Sequence, residues 1–158
     1  MPLVMALVAA SCSSGTSPSS PATAPTSSLS DEDAVFEAVL LHDLATTTVG
    51  SGEAVCLAIR GAKTDGRALL AAIKARYPTA VPDTECAGGG FASPVTLRAT
   101  GGRAVRLDIG PIEWGPDGAA KIASGGAYRG GGVREVDYRV ENHGGSWQVT
   151  SEKLRVQT

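Results

Sequence analysis

Two segments of the chain carry apolar residues at the three-to-four spacing of an amphipathic helix. The first follows Ser30, whose hydroxyl suits a helix N-cap, and its first turn is acidic, as the positive end of a helix dipole favours. The second covers about residues 65–77 and stops before Pro78. The apolar run 54–59 between them predicts a strand. The predicted inward faces comprise Val35, Phe36, Val39, Leu40 and Leu44 in the first helix, and Leu69, Leu70, Ile73 and Tyr77 in the second.

From residue 94 onward, apolar and polar residues alternate as in strands with one buried face. The first two inward sets fall on odd positions, which predicts a hairpin whose loop near Gly101 and Gly102 holds an odd number of residues. At Gly110-Pro111 the apolar positions become even, which predicts a bulge that bends one long strand. These sets are Val95, Leu97 and Ala99, then Val105, Leu107 and Ile109, then Ile112 and Trp114.

The remaining alternation predicts three more strands. Ile112 and Trp114 match Ile122 and Ala120 across the loop 115–119, and Gly130 to Gly132 form the next turn. The last hairpin is expected to place Val140 opposite Trp147 and Tyr138 opposite Val149, with Leu154 and Val156 completing the edge. Because a sheet with one apolar face needs a cover, the two helices must pack on it. The predicted fold is therefore α+β, with two helices on a bent antiparallel sheet of about five to six strands.

The closing segments 138–140 (Tyr-Arg-Val) and 145–149 (Gly-Ser-Trp-Gln-Val) resemble the last hairpin of many NTF2-like, or cystatin-like, domains. The order of elements over about residues 31–158 is also similar to that superfamily. The resemblance implies the fold, and a cone between sheet and helix in which the enzymes of the group keep carboxylates, a Tyr or a His. It implies no particular chemistry, because the group includes isomerases, dehydratases, partner-binding modules and uncharacterised exported proteins.

The first eleven residues read as a signal peptide. The apolar run 1–10 is shorter than the roughly 20 residues of a membrane-spanning helix, and it leads into Ala9-Ala10-Ser11-Cys12. Small residues directly before a cysteine resemble a lipobox, in which the Cys12 thiol receives a diacylglyceryl group and cleavage makes Cys12 the first mature residue. The pattern departs from such signals in one respect, since the first basic residue is Arg60. The alternatives are an ordinary secretory signal with a chance cysteine and a frayed terminus of a cytosolic protein.

Residues 13–30 are rich in Ser, Thr and Pro and uncharged, so they cannot bury enough apolar surface to fold. Together with Cys12 they are expected to form a flexible tether with a root-mean-square reach of about 25 Å. The chain thus divides into a signal peptide at 1–11, a lipidated tether at 12–30 and a single domain at 31–158. The expected location is extracytoplasmic, anchored to a bacterial membrane. In a Gram-negative host, Ser13 after the cysteine favours the outer membrane.

With Cys12 lipidated, Cys56 and Cys86 are left as an even pair in an exported protein, which predicts a disulfide. A disulfide that closes the loop of about 30 residues between them would stabilise the fold by about 3 kcal/mol, because it reduces the entropy of the unfolded chain. A reactive thiol is the alternative, although neither histidine is close in sequence.

The net charge of −2 provides no general attraction to nucleic acid. The charges are uneven, because residues 31–56 hold six acidic residues and no basic one. This distribution indicates an acidic helix start beside a mildly basic sheet, and a charged ligand site is the other interpretation.

Few residues are candidates for chemistry. His42 and Asp43, near the end of the first helix, are the weak catalytic candidates, because that region borders the pocket in NTF2-like enzymes. Asp108, Glu113 and Arg106 fall on the polar side of their strand, which predicts a solvated face. The two histidines stand far apart, so no metal site is predicted, and no motif calls for a cofactor.

The absence of ionisable residues from the predicted inward face favours binding over catalysis. The first functional hypothesis is therefore an envelope lipoprotein that binds a partner protein or a small apolar ligand in its cone. The alternative is a small isomerase, dehydratase or hydrolase outside the cytoplasm that uses His42 and Asp43. A structural or immunity-type surface protein is a third hypothesis, which the sequence does not separate from the first.

Overall fold

A computed structural model of the chain describes residues 29–47, 49–62, 66–89, 93–127 and 132–157. The predicted signal peptide, Cys12 and nearly all of the tether lie outside these residues, as does most of the glycine turn at 130–132. Within them, helix α1 is Asp31–Thr46 and helix α2 is Arg67–Arg76. The Ser30 hydroxyl accepts a hydrogen bond from the Asp33 amide at 3.1 Å, so the predicted N-cap is confirmed.

The strands form one large sheet and one small sheet. In chain order they are β1 Ala54–Ile59, β2 Ala80–Pro82, β3 Cys86–Ala87, β4 Thr96–Leu97, β5 Ala104–Ile109, β6 Glu113–Trp114, β7 Ala120–Ala127, β8 Val133–His143 and β9 Ser146–Gln157. The large sheet has the order β2-β1-β5-β7-β8-β9, and β6 also pairs with β7. The α+β class is confirmed, but the sheet among the described residues has seven strands and is mixed, where an antiparallel sheet of five to six was predicted.

The parallel part of the sheet has a local cause. Helix α2 carries the chain from β1 to β2, so these strands run in the same direction, as strands joined by a helical crossover do. On its other side β1 pairs in parallel with β5, from Ala54↔Ala104 to Ile59↔Ile109. The predicted hairpin before β5 is therefore wrong. Strand β4 instead pairs with β3, and only the bridge Thr96↔Arg103 remains of the expected ladder.

The predicted bend is present as a break between two strands. Both β5 and β6 pair with β7, and the Gly110 amide donates to the Ala123 carbonyl at 2.7 Å between them. Trp114 lies opposite Ala120, as predicted from the parity. Its side chain is nevertheless exposed and is not part of the core.

The last hairpin is tighter than predicted. Gly144 and Gly145 form a two-residue turn with φ of 65° and 90°, a left-handed conformation that glycine adopts without strain. Val140 therefore pairs with Val149, and the predicted pairing of Val140 with Trp147 is wrong by two residues. A register shift further along places Glu152, and not Val149, opposite Tyr138. Strand β9 forms one edge of the large sheet.

The core lies between the helices and the sheet. It is built from Val35, Phe36, Val39, Leu40, Leu44, Val55, Leu57, Leu69, Ile73, Leu107, Ile109, Ile122, Val136, Tyr138 and Val140 with a few smaller residues. A second cluster on the opposite face contains Ala54, Cys56, Cys86, Val95 and Ala104. Cys56 and Cys86 are joined by a disulfide, as predicted, so the small sheet is fastened to the large one. None of the described helices is long and apolar enough to span a bilayer.

Candidate functional site

Asp43 lies inside the domain, near the end of α1. Its side chain is buried, at 3% exposure, because position 43 follows Phe36 and Leu40 on the inward face of the helix. Oδ2 accepts the Ser124 hydroxyl at 2.5 Å, and Oδ1 accepts the Tyr138 hydroxyl. Arg134 Nη1 donates to Oδ1 at 3.4 Å. Both oxygens of the carboxylate are thus engaged.

The prediction that the inward face carries no ionisable residue is wrong. Asp43 and Tyr138 both point inward and hydrogen-bond to each other, and Ser124 joins them from β7. A sequence signal for this cluster existed, since Asp43 has the helical spacing of the core and Ser124 follows Ile122 at the inward parity of β7. Burying a carboxylate or a phenol costs free energy unless the group is hydrogen-bonded, and here the two groups bond to each other.

The environment of Tyr138 shifts its ionisation. Burial raises the pKa of the phenol above its ordinary value, because a phenolate would lose its hydration. The hydrogen bond to Asp43 and the negative charge of that carboxylate raise the pKa further, while Arg134 opposes them. Tyr138 is therefore a neutral donor at physiological pH, and it holds the carboxylate of Asp43 in place.

His42, the other predicted candidate, lies on the rim of this cluster. Its Nε2 is 3.0 Å from Oε2 of Glu152, and its ring makes an edge contact with the ring of Tyr138 at 5.4 Å. Glu152 also faces Arg134 at 3.9 Å. His42 and Asp43 are adjacent in sequence but point to different environments, one half-exposed and one enclosed. The side chains of His42 and Asp43 therefore do not face a common open cavity.

The three polar residues of β5 and β6 lie on the face away from the helices. Arg106 donates to Asp83 Oδ1 at 2.6 Å and to the Gly88 carbonyl at 2.7 Å. Asp108 pairs with Arg60, and Glu113 is exposed. Asp108 and Glu113 therefore do not meet as a carboxylate pair. Among the residues that the structure describes, no cluster of three His, Cys, Asp or Glu is placed to hold a metal ion.

A crevice that the sequence did not reveal lies at the carboxyl ends of β1 and β2. Its volume is about 770 Å³, compared with about 480 Å³ for a groove between α1 and β9. In open sheets with parallel strands, ligands bind outside these strand ends. The wall is largely apolar and includes Leu57, Ile59, Ala62, Leu70 and Pro82.

Charged residues form the rim of the crevice. Arg60, directly after β1, pairs with Asp108, and Asp83, directly after β2, pairs with Arg106. The Asp108 carboxylate raises the pKa of the Arg60 guanidinium above its usual range. The Arg60 side chain is 70% exposed, so it can turn toward a bound molecule at little energetic cost.

Comparison of the chain with protein-family models, with curated proteins and with solved structures finds no match.

Proposed function

We propose that this protein is a lipid-anchored, extracytoplasmic binding domain that takes a small apolar molecule into the crevice at the ends of β1 and β2. The observation that carries the proposal is the composition of the crevice: an apolar wall of Leu57, Ile59 and Leu70 under a rim that holds Arg60. Binding sites for small molecules are concave and mostly apolar, with a few polar groups that orient the ligand. An apolar molecule with one anionic group fits this arrangement.

The extracytoplasmic location is supported by the sequence before the domain and by the disulfide. Small residues precede Cys12 after an apolar run, and eighteen uncharged residues separate it from α1. The Cys56–Cys86 disulfide is compatible with an oxidising compartment outside the cytoplasm. Lipidation of Cys12 is part of the proposal.

The state of Asp43 favours binding over catalysis. A general base needs to reach a proton on the substrate, and Asp43 is enclosed with both oxygens occupied by Ser124, Tyr138 and Arg134. The cluster therefore supports the fold rather than a reaction.

We further propose that the domain is distantly similar to the NTF2-like, or cystatin-like, group. Helix α1 packs against β8 and β9, which form the long antiparallel hairpin that carries the resemblance. The space where its enzymes keep their pocket is filled here by Phe36, Leu40 and Tyr138. The ligand is for this reason assigned to the crevice, and not to the cone.

The crevice is tested with the fluorescent apolar anion anilinonaphthalene sulfonate. We expect saturable binding to the folded chain, weakened by Leu70→Gln, which places an amide in the apolar wall. Leu154→Gln is the matched control, since Leu154 is exposed on the opposite edge of the sheet. Near-ultraviolet circular dichroism verifies that both variants are folded. Equal binding by the two variants would refute the crevice as the site.

The anchor is tested separately. Wild-type protein is expected in the membrane fraction, whereas Cys12→Ser is expected to be soluble in the envelope or the medium. Intact mass should show a diacylglyceryl group on a chain that begins at Cys12. An unchanged membrane fraction for Cys12→Ser excludes this anchor without affecting the crevice.

A further inference from the structure

Several features of the large sheet meet at one end of the domain. Strand β6 continues the direction of β5 and pairs with the first residues of β7, Trp114 with Ala120. The turn at Gly144 and Gly145 lies at this end too, because β8 runs antiparallel to β7 and β9 runs antiparallel to β8. Helix α1 begins here as well, since Asp31 contacts Trp147. We call this the Trp114 end.

Both tryptophans of the chain lie at the Trp114 end. Their rings make an edge-to-face contact at 5.5 Å and 66°. Trp147 is half-buried, and its indole nitrogen donates to Asp31 Oδ1 at 3.3 Å. Trp114 lies outside it at 48% exposure, which makes it one of the few large apolar side chains of the described residues that face water. Trp147 thus supports Trp114 in an outward position.

The chain before the domain joins at the same place. Ser30 caps α1 and is adjacent to Asp31, which holds Trp147. The eighteen residues 13–30 connect Cys12 to the start of α1, and the reach of about 25 Å predicted for them keeps the Trp114 end close to whatever holds Cys12. A short tether of this kind gives an effective concentration on the order of millimolar, so a weak contact suffices for docking.

We propose that the Trp114 end docks on the surface of the bilayer that holds the lipid anchor, with the Trp114 indole among the lipid headgroups. Tryptophan is enriched at membrane interfaces, because its ring is apolar while its N–H is polar. The inference rests on the anchoring of Cys12, which belongs to the proposed function.

The charges around the tryptophans favour a neutral lipid surface over an acidic one. Arg139 is paired with Asp117 at 2.5 Å and with Glu141 at 2.6 Å, so its charge is already compensated. Asp31 adds negative charge at the same end, where Glu113 lies opposite Lys121 in the pair of β6 and β7. Phosphatidylcholine is therefore the headgroup of choice for the test, and acidic lipid should weaken the docking.

The experiment supplies the anchor chemically, so that its outcome does not depend on lipidation in the cell. Because Cys56 and Cys86 are bonded to each other, Cys12 is the remaining thiol of the chain. The full chain is coupled through Cys12 to phosphatidylcholine vesicles that contain a maleimide lipid. Trp147→Phe leaves Trp114 as the reporter, and Trp114→Phe leaves Trp147 as the matched control.

In vesicles whose lipids carry bromine near the headgroup, the emission of Trp114 should fall by roughly half relative to unbrominated vesicles and shift to shorter wavelength, as for an interfacial indole. The emission of Trp147 should change much less. Uncoupled Cys12→Ser chains should show neither effect. Docking is overturned if the coupled Trp114 is unaffected by bromine and is quenched by acrylamide as strongly as in the free chain. That result would leave both lipidation and the crevice standing, because each has its own test.

Discussion

Asp43 and Tyr138 lie 95 residues apart in sequence, and the phenol of Tyr138 donates a hydrogen bond to the carboxylate of Asp43 inside the domain. The contact joins the end of α1 to the middle of β8, and Ser124 extends it to β7. Helix α1 lacks a basic residue in its last turn, so the dipole of the helix disfavours a carboxylate there. Arg134 and the two hydroxyl groups compensate for this and for the lost hydration.

Replacement of Asp43 should therefore destabilise the fold, and the loss should depend on whether the new side chain still accepts hydrogen bonds from Ser124 and Tyr138. Asp43→Ala removes the acceptor of the buried Ser124 and Tyr138 hydroxyl groups, and we expect a loss of about 2–4 kcal/mol. Asp43→Asn keeps an acceptor and should lose about half as much. Glu37→Ala, at a half-buried position of α1 that lines the groove beside β9 and not the Asp43 cluster, is the control and should stay within about 0.5 kcal/mol of wild type. Urea denaturation measures these differences, and equal losses for Ala and Asn would contradict the hydrogen-bonded role.

The raised pKa of Tyr138 predicts that the free energy of unfolding depends on pH in the alkaline range. Above the ordinary value of 10.0, tyrosine in the unfolded chain releases its proton while buried Tyr138 keeps it. The unfolded state then binds fewer protons, so the free energy of unfolding falls with rising pH, by up to about 1.4 kcal/mol per unit from this group. Below that value the contribution is fully present.

Tyr138→Phe lacks this contribution, so its unfolding free energy should decline less steeply than that of wild type above pH 10.0. The two other tyrosines are common to both proteins and cancel in the difference. Parallel pH profiles of the two proteins in urea would show that Tyr138 titrates normally.

The disulfide should contribute measurably to stability. Cys56 and Cys86 are buried and 30 residues apart, and chain entropy assigns their bond about 3 kcal/mol. A Cys56→Ala/Cys86→Ala variant should unfold at lower urea, with early hydrogen exchange in β3 and β4. Cys12→Ser in both proteins prevents thiol exchange. Two alkylatable thiols at these positions in the exported protein would contradict the bond.

Asp117 offers a direct test of the surface electrostatics near the Trp114 end. The Arg139 guanidinium lowers the pKa of this carboxyl below its ordinary value of 3.8, and the Ala119 amide at 3.2 Å adds to the effect. The stabilisation from this lowered pKa is fully present above the pKa of Asp117 in the unfolded chain. It is lost as the pH falls through the pKa of Asp117 in the folded protein. Arg139→Gln should raise the pKa of Asp117 in a carbon-13 NMR titration. Arg155→Gln, whose partner is Asp137, should leave it unchanged.

The elements predicted well from the sequence are those with local causes. The start of α1 follows from a capping serine, an acidic first turn and the helical spacing of apolar residues, all within a few positions. The bend at Gly110 follows from a shift of parity within one strand. The disulfide follows from counting cysteines in a chain predicted to be exported.

The errors arose where distant segments decide the structure. Parity gives the face on which Val55 and Val105 lie, but it does not distinguish a parallel neighbour from an antiparallel one. The predicted register of the final hairpin was wrong because four turn-forming residues, 142–145, allow more than one loop length. The crevice was missed because it forms only when the ends of β1 and β2 meet, which places Arg60 and Asp83 around one opening.

Strand β9 leaves twelve residues along an edge of the sheet, and the proposed lipid anchor would bring such edges together at high density on one membrane. In an antiparallel alignment that sets Leu154 against Leu154 of a neighbour, Lys153 would stand opposite Arg155. In the alignment shifted by two residues, Lys153 would stand opposite another Lys153. Both of these arrangements place like charges opposite each other, so the charges of Lys153 and Arg155 oppose edge-to-edge pairing in these two alignments of the proposed membrane-anchored protein.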